Sequence, residues 1–227
     1  MKYEIFGDML PAVEIELDAN ESIYTQSGGM TWMSESVSME TNIKGGFMKG
    51  LGRAFSGDSL FMATYTAQQP SSKITVSSTF PGTILPVEIN EGKSYICQKG
   101  AFLCAQPTVD LQAVFTKTFG GGVFGGEGFI LQKLSGCGLV FVELDGSVRR
   151  IDLAPGEKIK VDTGNVALFE ESVSYNIETV KGFKNILFGG EGLFLTTLTG
   201  PGSVWLQTMT VANLASRLVP FLPYNNK

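Results

Sequence analysis

There is no histidine anywhere in this chain of 227 residues. That absence removes Ser-His-Asp and Cys-His catalysis, histidine-ligated metal sites and the usual proton carrier near neutral pH. Charge is scarce as well. Asp, Glu, Lys and Arg make up 17% of the residues, against about 25% in an ordinary soluble domain. The 17 basic and 22 acidic residues leave a net charge of −5. With no long Lys/Arg run, the electrostatic footprint of a nucleic-acid binder is missing, and no nucleic-acid partner is expected. No run of about 18 apolar residues occurs, so no transmembrane helix is expected. The start, MKYEIFGDMLPAVEIEL, carries acids and a proline where a signal peptide needs a basic end and an apolar stretch. The expected compartment is therefore cytoplasmic. Three cysteines without CxxC spacing suit a reducing compartment better than a disulfide framework.

Glycine, by contrast, is abundant: 28 residues, well above the usual share of about 7%. Its placement exposes a repeat. Val123–Val140 (VFGGEGFILQKLSGCGLV) is written again, without a gap and 64 residues later, as Leu187–Val204 (LFGGEGLFLTTLTGPGSV). The same offset of 64 carries Val87–Lys93 onto Ile151–Glu157 and Gly100–Cys104 onto Gly164–Leu168. An offset of 72 in the other direction lands on Glu16–Glu21 and Gly28, and Val37, Val109 and Val173 then coincide. A degenerate Gly-acid motif, Phe55-Ser56-Gly57-Asp58-Ser59-Leu60-Phe61, completes the first copy at an offset of 69.

Within each copy, apolar and polar residues alternate over short runs such as Val13, Ile15 and Leu17, the period of a half-buried strand. Turn residues such as Asp18-Ala19-Asn20-Glu21 break the runs. The fold class read from this pattern is all-β: three tandem duplicated β-rolls at 1–84, 85–148 and 149–209. A unit of this size has a marginal core by itself, so the three are expected to pack together about a pseudo-threefold axis, closing into a ring. The tail, 210–227, differs. Val211, Leu214, Ala215 and Leu218 are at helical spacing, and Pro220 and Pro223 end the pattern. The spacing predicts a short C-terminal helix docked on the β body, with a membrane-surface anchor as the alternative.

The candidate sites follow from the repeat. Asp58, Glu127 and Glu191 supply one acid per unit in a Gly-rich turn. Around an axis, three carboxylates would converge and hold a hard cation such as Ca²⁺ or Mg²⁺; the simpler expectation is that each accepts backbone N–H bonds within its own turn. Gly120–Gly126 lacks the Gly-Lys-Ser/Thr ending and the following helix of a phosphate loop. Lys44, Lys49 and Arg53 interleave with Phe47, Met48, Leu51 and Phe55, the composition of a segment that touches anionic lipid or a partner groove, or that packs on the next unit. Cys97 and Cys104 fall on apolar strand positions and are expected to be buried; Cys137, in a Gly-x-Gly turn, is expected to be accessible. Trp32 and Trp205 are expected to be packing residues in strands.

Three features resemble one family in combination: Gly-Gly-Glu-Gly followed by an apolar run and Leu-(Ser/Thr)-Gly-x-Gly, the Ser59–Thr66 strand, and the closing run Leu214–Pro223. The family is the bacterial and archaeal branch of the "altered inheritance of mitochondria" proteins. The resemblance implies a fold related to the tryptophan RNA-binding attenuation protein, with double-stranded β-helix rolls in three copies. It also implies a link, in mitochondrial members, to inner-membrane organisation. It supplies no catalytic residue and no cofactor. The functional expectation is a non-enzymatic scaffold or interaction protein, self-associating or meeting an unidentified protein partner, with peripheral membrane contact through Lys44, Phe47, Lys49 and Arg53. The alternative is a small-ligand or metal-binding module that uses a pocket between rolls.

Overall fold

The computed structural model describes residues 1–26, 28–42, 62–117, 129–179 and 194–221, and the described part is all-β apart from short helical turns and one C-terminal helix. Alternation in the sequence becomes alternation in burial. In the strand β2 (Ala12–Leu17), Val13, Ile15 and Leu17 are fully buried while Glu14 and Glu16 lie half-exposed between them. Asp18–Glu21 then turns the chain, the Glu21 carboxylate accepting the Asp18 N–H at 2.9 Å. The corresponding turn at Ala154–Glu157 uses the same device, Glu157 accepting the Ala154 N–H at 2.8 Å. An acid three residues along closes the turn locally in both places.

The first sheet has the order β1 (Lys2–Phe6), β2, β7 (Ser72–Ser77), β4 (Met30–Met33). The second runs β5 (Val37–Asn42), β6 (Met62–Ala67), β3 (Ser22–Gln26), β10 (Phe102–Ala105), β13 (Gly138–Asp145), β8 (Gly82–Ile89). The third runs β11 (Val109–Lys117), β12 (Phe129–Gly136), β9 (Tyr95–Gln98), β16 (Val166–Glu170), β19 (Gly202–Gln207), β14 (Val148–Leu153). The fourth is β15 (Lys158–Asp162), β18 (Phe194–Thr199), β17 (Ser174–Thr179). All strand pairs in these sheets are antiparallel. None of the four sheets closes on itself among the described residues.

Three apolar clusters hold the sheets together. One joins the first sheet (Val13, Ile15, Ile74, Val76) to the second (Ile23, Tyr65, Phe141). The next joins the other face of the second sheet (Tyr24, Phe102, Val140, Val142) to the third (Cys97, Leu134, Leu168). The last joins the far face of the third sheet (Ile96, Phe169, Val204) to the fourth (Leu198, with Ile159 and Tyr175). Successive residues of one strand therefore serve different cores: Phe141 faces one cluster, and Val140 and Val142 the other. Each fully buried Leu, Ile or Phe of this kind stabilises the fold by about 1.5–3 kcal/mol relative to exposure. The three coincident valines Val37, Val109 and Val173 are 5%, 0% and 3% exposed, as their shared position in the repeat demands.

The C-terminal helix α1 (Val211–Leu218) forms where the sequence spacing places it, capped by the Thr210 hydroxyl, which accepts the Asn213 N–H at 3.1 Å. Its docking differs from the expectation. No residue of the helix is buried, and Val211 and Leu218 are exposed. Helical periodicity says which side is apolar; it does not supply a surface to cover that side.

Candidate interaction site

The sequence-predicted acids Asp58, Glu127 and Glu191 lie outside the described residues, as do Lys44, Phe47, Lys49 and Arg53. Among the described residues no three His, Cys, Asp or Glu side chains cluster as metal ligands would. Cys97 and Cys104 are buried and Cys137 is exposed. Burial alone pushes the Cys97 thiol up to about 12 and raises that of Cys104 as well, so both stay protonated and inert. A polar cluster joins buried Ser203 to exposed Asp152 and Arg150: the Ser203 hydroxyl donates to Asp152 at 2.6 Å while Arg150 Nε donates to the same oxygen at 3.0 Å. These two hydrogen bonds hold the Asp152 carboxyl below its ordinary range. A carboxylate so stabilised is a poor base, and the cluster reads as a cross-strand clamp between β14 and β19.

What the geometry does build is a repeated strand-to-strand junction. β3 meets β10 with Tyr24 opposite Ala105 and Thr25 opposite Cys104. β9 meets β16 with Ile96 opposite Phe169 and Cys97 opposite Leu168. The partners are related by the sequence offsets of 72 and 64, so the two junctions share one register. In each, a large side chain crosses into the neighbouring core. Tyr24 stacks on Phe102 at 5.3 Å and donates its hydroxyl to the Val109 carbonyl at 2.8 Å. Burial raises the Tyr24 phenol well above its ordinary value, with Asp110 adding to the effect. Ile96 sits in the same cluster as Val166, the residue 64 positions after Phe102. Gln98, beside the second junction, donates its amide to the carbonyls of Gly164 (3.1 Å) and Val166 (2.5 Å). Amide hydrogen bonds of this kind pin the turn between β15 and β16.

The same offsets single out β4 and β15 as the strands that a third junction would use, with Met33 opposite Lys160 and Trp32 opposite Val161. Among the described residues these two strands are not paired: β4 ends the first sheet and β15 the fourth. Trp32 is 51% exposed where Cys104 and Leu168 are 0% exposed. Lys160 is exposed where Tyr24 and Ile96 are buried. The sequence expectation that Trp32 is an ordinary packing residue fails for this reason. Its ring touches Phe6 at 6.2 Å, itself exposed on β1, while Met9 and Leu10 beyond β1 are more exposed still. The offsets of 72 and 64 align Trp32 with Cys104 and Leu168. The signal that would have found the open edge was the change from Tyr24 and Ile96 to Lys160. A second apolar surface lies on α1 and the turn after it, where Leu218, Val219 and Phe221 are exposed, Phe221 at 85%.

Comparison with known proteins places these features. The family model described as "Mitochondrial biogenesis AIM24" matches residues 3–209. The uncharacterized protein M6_Spy0233 of Streptococcus pyogenes serotype M6 is 29% identical, over 98% of this chain and 92% of its own length. The crystal structure of protein SPYM3_0169 from Streptococcus pyogenes superposes with a TM-score of 0.78 at 27% identity, covering 97% of this chain and 99% of that one.

Proposed function

The chain belongs to the Mitochondrial biogenesis AIM24 family, and we propose that it works as a non-enzymatic scaffold or interaction protein. The observation that carries this reading is the apolar surface displayed outside the cores: Trp32 and Phe6 on strands of the first sheet, and Leu218, Val219 and Phe221 at the C-terminal helix. Large side chains grouped in this way are the usual mark of a surface that meets another molecule. A cytoplasmic location accords with this reading; among the described residues no helix is long and apolar enough to cross a membrane.

The architecture proposed with it is three duplicated rolls, 1–84, 85–148 and 149–209, with a tail at 210–227, related by a pseudo-threefold axis and similar in kind to the tryptophan RNA-binding attenuation protein. Its support is the shared register of the β3–β10 and β9–β16 junctions. Equal steps between successive units are what a rotational relation gives; closure of the third step is what would complete the threefold. The test of function compares two measurements on the intact chain. Affinity capture, followed by reconstitution with the purified partner, is expected to give a stoichiometric complex. Calorimetric titration with Ca²⁺ or Mg²⁺ is expected to give no heat; saturable binding that Glu127→Gln abolishes would instead establish the metal-binding reading through Asp58, Glu127 and Glu191.

A further inference from the structure

Among the described residues, two of the three strand junctions that the offsets relate are filled, and the third is not. In the filled ones, the strand laid against β10 or β16 delivers an anchor: Tyr24, 7% exposed, or Ile96, 6% exposed. Each anchor sits against the first residue of the accepting strand, Phe102 for Tyr24 and, by position, Val166 for Ile96. The acceptor of the third junction is β4, whose first residue is Met30. Its counterpart strand, β15, offers Lys160 at the anchor position. An ammonium there would have to leave water for an apolar core without a hydrogen-bonding partner, which is costly. The Lys160 side chain instead points to solvent, 4.0 Å from Glu178. Lysine on an edge strand is also a common device against pairing. The chain thus keeps an acceptor edge while disabling the strand that would occupy it.

From this geometry we infer that β4 is a docking edge for an extended segment of a partner protein, added as an antiparallel strand with an aromatic or branched apolar residue opposite Met33. This deepens the interaction reading above and rests on it. The two internal junctions give the chemistry of the occupant directly: strand direction, register, and an anchor of the size of Tyr24 or Ile96. A second copy of this chain does not meet that description through its own β15, because Lys160 stands at the anchor position. Addition of a strand to a free edge gains affinity from main-chain hydrogen bonds and specificity from alternate side chains. Trp32, half-exposed on β4, would be covered as the strand seats and so reports binding.

The test uses the full chain and two labelled synthetic peptides of residues 156–164, one carrying Lys160→Tyr and one with the native sequence. Fluorescence anisotropy is expected to show saturable binding of the Lys160→Tyr peptide, at least tenfold tighter than the native peptide. A blue shift of tryptophan emission that Trp32→Phe removes should accompany it. Met33→Glu should abolish binding; should that variant melt early, the peptide pair alone decides. No binding, or equal binding of both peptides, overturns the inference. Such a result removes β4 as the docking edge and leaves the interaction reading to its own capture and calorimetry test.

Discussion

Cys97 and Cys104 are chemically silent because both thiols are wholly enclosed, and Cys137, in the Gly-x-Gly turn, is exposed. Native alkylation followed by intact mass should therefore add one label, at Cys137, with the other two appearing only in denaturant. The buried thiols also carry a pH dependence. Burial raises Cys97 from its ordinary value of 9.0 to about 12, so above about pH 9 the unfolded chain releases a proton that the folded chain keeps. The folded state then binds more protons, and stability falls as pH rises from about 9 toward 12. Urea melts at pH 8 and pH 10.5 should show a lower midpoint at the higher pH, and a Cys97→Val, Cys104→Val variant should show less of the loss. Gly136 makes a different residue-scale demand. Its φ is +98°, and a Cβ there would lie 2.3 Å from the Thr108 carbonyl oxygen. Strain of this kind costs on the order of 1–3 kcal/mol, so Gly136→Ala should lower Tm, measured by calorimetry, by several degrees.

At the scale of the element, β15 and α1 show how little local pattern says about what an element meets. Lys158–Asp162 alternates and its strand forms, yet it ends the fourth sheet and is not paired with β4 among the described residues; on the inference above, the lysine that stands where β3 has Tyr24 and β9 has Ile96 is what keeps the two apart. Replacing that charge, Lys160→Ile, restores the anchor in cis and is expected to draw β15 onto β4. Tryptophan emission should move to the blue in the absence of any peptide, and the shift should vanish in a Trp32→Phe background. Helix α1 is amphipathic and properly capped, yet buries none of its residues. Removal of residues 211–227 should then cost about 1 kcal/mol or less, equivalent to roughly 2–4 °C in Tm for a chain of this size. A larger loss would mean that the helix face is packed.

Over the whole molecule, the repeat and its offsets were legible in the sequence. They locate equivalent strands, the recurrent acid-closed turns at Asp18–Glu21 and Ala154–Glu157, and the burial of Val37, Val109 and Val173 without reference to coordinates. These features are local, set by period-two alternation and by turn chemistry over a few residues. The grouping of strands was not legible. The second and third sheets join strands far apart in the chain, β3 with β10 and β9 with β16, so their order depends on pairings across more than 70 residues. The sequence therefore determined by itself that this protein is all-β, that it repeats, and that it carries no histidine-based chemistry. The tertiary structure alone decided that, among the described residues, β4 ends its sheet with Trp32 exposed while the counterparts Cys104 and Leu168 are sealed. The physical reason is that burial of an edge strand belongs to its neighbour as much as to itself. Among the described residues β4 pairs with β7 alone, and the strand that the offsets set opposite it, β15, lies more than 120 residues away in sequence.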